Sequence, residues 1–348
     1  MHLPVCLSYR KYLGATGLGA VALALILSAM GCTSASAAAP PLDRFERLQA
    51  QDLRVARVSY RLSIANAARC GETLAPQLGF VVHGIAQYGL ADREAAARRF
   101  GLGTRTGVMA VIEGSPAQNA GLMAGDQLIS VNGRALPTEI EAAAPSRATV
   151  DQAQSQLIEE ARRGAVTLRV AGQSGERDVT FVAAHGCPST VELIAGNEVN
   201  AWADGQRIMI GEGLLRQCAS DADLALVIGH EMAHNLLHHG AQLAAHGVGA
   251  SAMLPVSAIG SMLIRKTEEE ADELAVRLAG TAAYDLSGAE AFLGRVLKPG
   301  NAVAATHPAT AERLTLLRTA IAAQRGVATG AETPIANTAP SGLVSGRI

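Results

Sequence analysis

An apolar segment that ends in two histidines places the strongest constraint on how this chain can fold. Residues 224–229 read Leu-Ala-Leu-Val-Ile-Gly, and His230-Glu231-Met232-Ala233-His234 follows at once. A helix puts positions four residues apart on one face, so both imidazoles can reach one metal ion. Two imidazoles and a carboxylate buried without a partner would be costly. The segment therefore predicts a helix, over about 224–239, that carries a metal site.

The H-E-x-x-H spacing is typical of zinc sites that hydrolyse peptide bonds. His230 and His234 would be ligands of one zinc ion per chain. Glu231 lies one position round the helix, where it could take a proton from a water on the metal and pass it to the leaving amine. We interpret His238 and His239 as a solvated helix end, because the rise of the helix carries them away from the ion.

A catalytic zinc usually has a third protein ligand, and the acidic segment 268–275 offers candidates. It reads Glu-Glu-Glu-Ala-Asp-Glu-Leu-Ala within a predicted helix over about 267–278. Glu268 and Asp272 share one face of that helix. One of them can bind the metal while the other holds the far nitrogen of a ligand histidine.

A second module precedes this region, over residues 78–185. Its central string is Gly114-Ser115-Pro116-Ala117, then Ala120-Gly121-Leu122, then Gly125-Asp126 and a turn at Asn132-Gly133. The string resembles a PDZ domain of the bacterial protease-associated type. The resemblance implies a small β-barrel or sandwich with two helices, and a groove that binds peptide C-termini or internal strands as an added strand.

By the same resemblance, the loop Gly101-Leu102-Gly103 corresponds to the one whose backbone N–H groups hold a peptide carboxylate. The alternative is a PDZ-like unit that only packs against the neighbouring domain, because fold alone does not establish the use of a groove.

Besides the H-E-x-x-H helix predicted over about 224–239, three further motifs resemble the gluzincin peptidase family of HtpX, BepA and the CAAX prenyl protease. They are the E-x-E-A-D string from Glu268 to Asp272, the segment Asn200-Ala201-Trp202-Ala203, and His307-Pro308 followed by Arg313. The resemblance implies that Glu268 is the third ligand and that Asp272 supports it.

The same family resemblance implies roles for the other two motifs. Asn200, Ala201, Trp202 and Ala203 would form an edge strand that lies over the cleft and pairs with the substrate backbone. His307 would lie near the zinc, either as a gating fourth ligand or as a donor to the oxyanion, with Arg313 anchoring the same region.

These patterns predict an α+β chain: a mainly helical zincin domain with a small edge-strand sheet, and the PDZ-like domain. The predicted organisation is an export signal over 1–37, an N-terminal helix over 42–75, the PDZ-like domain over 78–185, the zinc metallopeptidase domain over 187–325 and a disordered tail over 326–348.

The first 37 residues predict export. Arg10 and Lys11 precede an uncharged run from Leu13 to Met30, and small residues follow. Cleavage after Ala35-Ser36-Ala37 would give a soluble periplasmic protein. Cleavage before Cys32 would give a lipoprotein anchored to the membrane, and Thr33 after that cysteine favours the outer membrane.

Export places the remaining cysteines in an oxidising compartment. A bridge between Cys70 and Cys187 would tie together the two ends of the PDZ-like module and leave Cys218 as a buried thiol. The segment 247–264 carries no charge and is broken by Pro255. It is either a buried connection or a lid or membrane contact, and proline and glycine favour the buried connection.

The leading hypothesis is an envelope endopeptidase acting on misfolded or specific proteins. The alternatives are a PDZ-led scaffold or chaperone that binds zinc with little turnover, and a hydrolase of cell-wall peptides. The net charge of −2, with no basic stretch, argues against nucleic acid as a partner.

Overall fold

The computed structural model describes residues 43–139, 143–248, 258–298, 307 and 311–327. The predicted export signal with Cys32, residues 249–257 of the uncharged segment 247–264 and the tail beyond Val327 lie outside the described residues. No helix in the described ranges is both long enough and apolar enough to cross a membrane.

Helices and strands alternate in the mixed order that the sequence predicts, and the α+β class is confirmed. The helices are α1 (Arg44–Ala65), α2 (Ala67–Cys70), α3 (Arg93–Phe100), α4 (Pro116–Asn119), α5 (Ala148–Arg163), α6 (Glu212–Leu215), α7 (Asp221–Leu236), α8 (His239–Ala245), α9 (Ala258–Thr281), α10 (Ala289–Val296) and α11 (Ala311–Val327). The strands are β1 (Ala75–Gln77), β2 (Phe80–His83), β3 (Gly107–Val111), β4 (Gln127–Val131), β5 (Arg134–Ala135), β6 (Val166–Gly172), β7 (Gly175–Phe181), β8 (Ala184–Gly186), β9 (Thr190–Ile194), β10 (Ala201–Ala203) and β11 (Arg207–Gly211).

The PDZ-like module is an antiparallel sheet with helix α5 on one face. Its strand order is β2-β3-β4-β6-β7, with β5 paired to β4, so β2 and β7 are the edges of the described sheet. Helix α5 buries Val150, Ala153 and Leu157 at helical spacing, and Ala153 and Leu157 share one apolar core with Leu168 of β6. β2 is therefore an open edge of the described sheet, and it lies beside α5.

The second domain combines helices α7, α9, α10 and α11 with a three-stranded sheet of order β10-β11-β9. β9 and β11 run parallel in register, whereas β10 and β11 form an antiparallel hairpin around Asp204-Gly205. β10 is thus an edge strand, as the N-A-W-A motif predicts.

Helix α1 belongs to the core of the second domain. Val55, Val58 and Leu62 are buried in the same apolar cluster as Ile228 of α7. Arg54 adds polar contacts at the start of α7, through its Nε to Asp221 at 2.9 Å and through a bond to the Ser220 carbonyl. The N-terminal helix therefore helps to hold α7, the helix that carries His230 and His234.

A disulfide joins Cys70 to Cys187, with Cα atoms 5.4 Å apart, and this prediction is confirmed. Beside the disulfide, β1 pairs antiparallel with β8, and this pairing also holds the two ends of the PDZ-like module together. Cys218 is a buried free thiol, and burial raises its pKa to about 12. The PDZ-like module is therefore a loop closed covalently at its base.

Two predicted helices have different bounds in the structure. Helix α7 ends at Leu236, before the predicted 239, because His238 takes a left-handed backbone conformation with φ of 56°. Helix α9 begins at Ala258, well before the predicted 267, so residues 258–264 of the uncharged segment form its first turns. The chain reverses after α7, which changes the surroundings of His239.

Candidate metal centre

Helix α7 carries the H-E-x-x-H residues, and its start is held by a reciprocal cap. The Ser220 hydroxyl accepts from the Asp223 backbone N–H, and the Asp223 carboxylate accepts from the Ser220 N–H. Leu224, Ile228 and Met232 are completely buried below it. The apolar run that precedes the motif thus fixes the helix, and the motif lies in its last two turns.

A glycine allows α7 to approach α9 closely. A Cβ placed on Gly229 would lie only 3.3 Å from the Cα and the carbonyl oxygen of Ala275. The small residues at this crossing let the two backbones come together, and α9 then carries Glu268 and Asp272 onto the histidine face of α7.

Four donors meet at this crossing: His230, His234, Glu268 and His307, whose ligand atoms all lie within 4.8 Å of one another. The Nε2 atoms of His230 and His234 are 3.0 Å apart. Glu268 lies 3.3 Å from His234 Nε2 through Oε1 and 3.5 Å from His230 Nε2 through Oε2. His307 Nδ1 is 3.0 Å from Glu268 Oε2. The three predicted ligands and His307 are therefore brought to one point.

Asp272 and Arg313 support this cluster from behind. Asp272 Oδ1 lies 2.9 Å from His230 Nδ1, so the carboxylate accepts the Nδ1–H and leaves Nε2 free for a metal. Arg313 donates to both carboxylates, through Nη2 to Asp272 at 2.9 Å and through Nη1 to Glu268 at 2.9 Å. Arg313 is 3% exposed, so it acts as a buried cation that links the two acidic residues.

The electrostatics of the cluster favour an added positive charge between its imidazoles and carboxylates. Burial opposes the charged form of His230, yet hydrogen bonds to Asp272 and Glu268 raise its pKa to about 10. Burial opposes ionisation of Glu268 as well, but the neighbouring His307 and the hydrogen bonds from the imidazoles hold the pKa of Glu268 well below its usual range. The buried carboxylate is thus anionic and favours positive charge on the groups around it, which is a setting for a cation.

The donor set fits a divalent metal ion. Imidazole nitrogens together with one carboxylate oxygen suit ions of the zinc type, and the Nδ1 of His230 already has the acceptor that a ligand histidine usually has. The residues present therefore fit the group that the sequence predicts.

Glu231 and His307 face each other beside the metal donors. Glu231 is 3% exposed, and its Oε1 lies 3.6 Å from His307 Nε2. The same Nε2 lies 3.4 Å from the carbonyl oxygen of Ala201 in β10. His307 thus touches the carboxylate, the metal donors and the edge strand, and both of its predicted roles stay compatible with its position.

The edge strand borders a small apolar cavity next to Glu231. Ala201 is buried, Trp202 and Ala203 are half-buried, and the carbonyl of Asn200 accepts from the Gly211 N–H. The cavity, of about 50 Å³, is lined by Ala201, Leu226, Val227, Leu293, Val296 and Leu297 together with Glu231 and His307. Apolar side chains thus form most of the wall beside Glu231.

Sequence reasoning missed His239, which was expected at a solvated helix end. It is 0% exposed, whereas its neighbour His238 is exposed. His239 Nδ1 lies 3.0 Å from His234 Nδ1, and its Nε2 lies 3.2 Å from Glu270 Oε2. The left-handed turn at His238 folds His239 back under helix α7. A straight helix through residue 239 does not predict such a turn.

The predicted carboxylate loop Gly101-Leu102-Gly103 follows the end of helix α3. Leu102 is buried, and its backbone N–H bonds to the Ala97 carbonyl at the end of α3. The open edge of β2 borders a cavity of about 1040 Å³, whose other walls come from α5, α1 and β9. Arg147 at the start of α5 forms an ion pair of 2.7 Å with Glu192 of β9 across this space.

Comparison with known proteins matches both parts of the chain. Residues 171–321 match the model of peptidase family M48, and residues 107–145 match the model of the PDZ domain. The chain is also 28% identical to the mitochondrial metalloendopeptidase OMA1 of Schizosaccharomyces pombe. That alignment covers 32% of this chain and 40% of the relative, so the chain spans about two fifths of the relative's length.

Proposed function

We propose that this chain, which carries a peptidase domain of family M48 behind a PDZ domain, is a zinc-dependent endopeptidase that cleaves extended polypeptides. The single observation that carries the proposal is the buried cluster of His230, His234 and Glu268 with Glu231 beside it. Bound zinc would supply Lewis acidity and would lower the pKa of a water in the cleft.

The residues of the chain supply the other parts of hydrolysis. A substrate strand can add to the open edge of β10, where the backbone of Ala201 to Ala203 offers hydrogen bonds in one register. Glu231, as general base, takes the proton from the attacking water and later delivers it to the leaving amine. His307 Nε2, 3.6 Å from Glu231, is placed to donate to the developing oxyanion.

A comparison of the wild-type chain with Glu231→Gln tests this function. The measurements are casein cleavage and zinc content of both proteins. We expect cleavage to be lost in the variant while zinc is retained, because the amide cannot take a proton yet leaves the ligands in place. Zinc in both proteins and cleavage by neither would refute the endopeptidase and favour the PDZ-led scaffold or chaperone.

For the PDZ domain, we propose that a peptide binds as an added strand on β2 and thereby recruits substrate or gates access. The cavity beside β2 supports this role because it reaches α1 and β9 of the peptidase domain. Fluorescent peptides with free and with amidated C-termini test it. Equal, saturable binding of both would favour internal strands, and preference for the free carboxylate would favour C-termini. Binding of neither would refute recruitment.

For its location, we propose an exported protein of the bacterial cell envelope, anchored through lipid on Cys32 and acting on misfolded or specific envelope proteins. The disulfide between Cys70 and Cys187 supports an oxidising compartment. Membrane fractionation of the wild-type chain and of Cys32→Ser tests the anchor. We expect the variant alone to become soluble, and release of both would favour the soluble periplasmic form.

A further inference from the structure

We infer that His239 is a positioning residue for the metal: it holds His234 in the tautomer that binds, and Glu270 holds His239 in turn. The inference rests on the proposed zinc site and goes beyond it, since neither residue is a ligand. Three side chains lie in a row: Glu270 contacts His239 at 3.2 Å, and His239 contacts His234 at 3.0 Å.

The donor and acceptor roles in this row of three side chains follow from the nitrogen of His234 that would face the metal. His234 Nε2 points into the donor cluster, 3.0 Å from His230 Nε2 and 3.3 Å from Glu268 Oε1. A metal needs the lone pair on that nitrogen, so the proton of the neutral ring lies on Nδ1. The atom opposite this N–H is His239 Nδ1, which must therefore be an acceptor.

Glu270 determines which nitrogen of His239 carries its proton. A carboxylate accepts hydrogen bonds, so its contact with His239 Nε2 places the proton on that nitrogen and leaves Nδ1 as an acceptor. If the proton were on Nδ1, two N–H groups would face each other between the rings. The carboxylate thus fixes one imidazole, and that imidazole fixes the next.

Burial makes this arrangement effective. His239 is 0% exposed, so no bulk water can replace it as the acceptor for His234. The contact depends on the left-handed backbone of His238, which turns the chain back between α7 and α8. Helix α9 then serves the two ligand histidines differently. Asp272 accepts directly from His230, whereas Glu270 acts on His234 through His239.

Zinc affinity, measured by competition with a chromophoric chelator, tests the role of His239. We expect His239→Leu to bind zinc about 10- to 100-fold more weakly, the usual cost of losing a partner behind a ligand. His239→Asn should recover most of that loss, because its amide oxygen can accept at the position of Nδ1. His238→Asn is the matched control, exposed and tolerant of the left-handed backbone, and should bind as wild type does.

A second pair keeps the test decisive if His239→Leu does not fold. Glu270→Ala should bind zinc more weakly than the control variant Glu269→Gln does. Glu270→Gln should recover part of the zinc affinity that Glu270→Ala loses. Long-range ¹H–¹⁵N spectra of the zinc-loaded wild type should show His239 protonated on Nε2. A proton on Nδ1 would overturn the inference, as would equal zinc affinity in His239→Leu and wild type or equally weak binding by His239→Leu and His239→Asn.

These readouts separate the inference from the proposed function, because chelator competition needs no turnover. A wild-type chain that holds zinc and cleaves nothing refutes the endopeptidase alone. A wild-type chain that takes up no zinc overturns both proposals.

Discussion

The disulfide between Cys70 and Cys187 should contribute several kcal/mol to the stability of this chain. The bridge joins residues 117 positions apart and encloses the whole PDZ-like module. In the loop-entropy model, closing a loop of n residues lowers the entropy of the unfolded chain by about 2.1 + 1.5R ln n. For this loop the loss is about 16 cal/mol/K, which corresponds to about 4.9 kcal/mol at 298 K. Measured values usually fall below the model, so we expect a loss of about 3–5 kcal/mol in Cys70→Ser/Cys187→Ser.

Urea unfolding of the oxidised wild type and of the double variant measures this loss. A reductant should lower the stability of the wild type toward that of the variant and leave the variant unchanged. Cys218→Ala is the control, since Cys218 is buried but forms no bridge. The reasoning is refuted if reduction leaves the wild-type midpoint unchanged, or if Cys218→Ala shows the same loss as the double variant.

Three further predictions follow from single side chains. Asp272→Asn should weaken zinc binding about 10- to 100-fold in a chelator competition, because His230 loses its ionised acceptor, whereas the exposed Glu273→Gln should not. His307→Ala should lower kcat for casein by about 10²–10³ with zinc content unchanged if it donates to the oxyanion, and loss of zinc instead would identify it as a ligand. Burial lowers the pKa of His83 to about 3. In the unfolded chain, His83 binds a proton near pH 6.5. As pH falls from about 6.5 toward 3, the unfolded chain is protonated at His83 while the folded chain is not, so the free energy of unfolding decreases by up to about 1.4 kcal/mol per pH unit. His83→Gln should flatten that slope in unfolding midpoints measured against pH.

The local parts of the structure could be predicted from the chain because short-range spacing determines them. The four-residue spacing of His230 and His234 requires a helix to bring both rings to one ion. The Asp204-Gly205 dipeptide is typical of a hairpin turn, and β10 and β11 form an antiparallel hairpin around it. Glu268 and Asp272 were placed on one helical face by the same periodicity, and the structure brings that face onto the two histidines.

Some contacts depend on how helices cross, and periodicity within one segment carries no information about crossings. Arg313 was expected only to anchor the region near the zinc. In the structure it donates to both Glu268 and Asp272, because α11 packs against α9. The cavity beside β2 likewise exists because α1 and β9 come from distant parts of the chain.

The sequence by itself determined which side chains are available for chemistry: two imidazoles, a glutamate beside them and an acidic helix, at spacings that favour a metal centre. Only the tertiary structure decided the surroundings of that centre. His239 shows the physical reason, since a single left-handed residue at His238 ends the helix early and turns a ring expected in solvent into the buried partner of His234. The turn brings His239 against Glu270 of helix α9, and no local pattern encodes that contact.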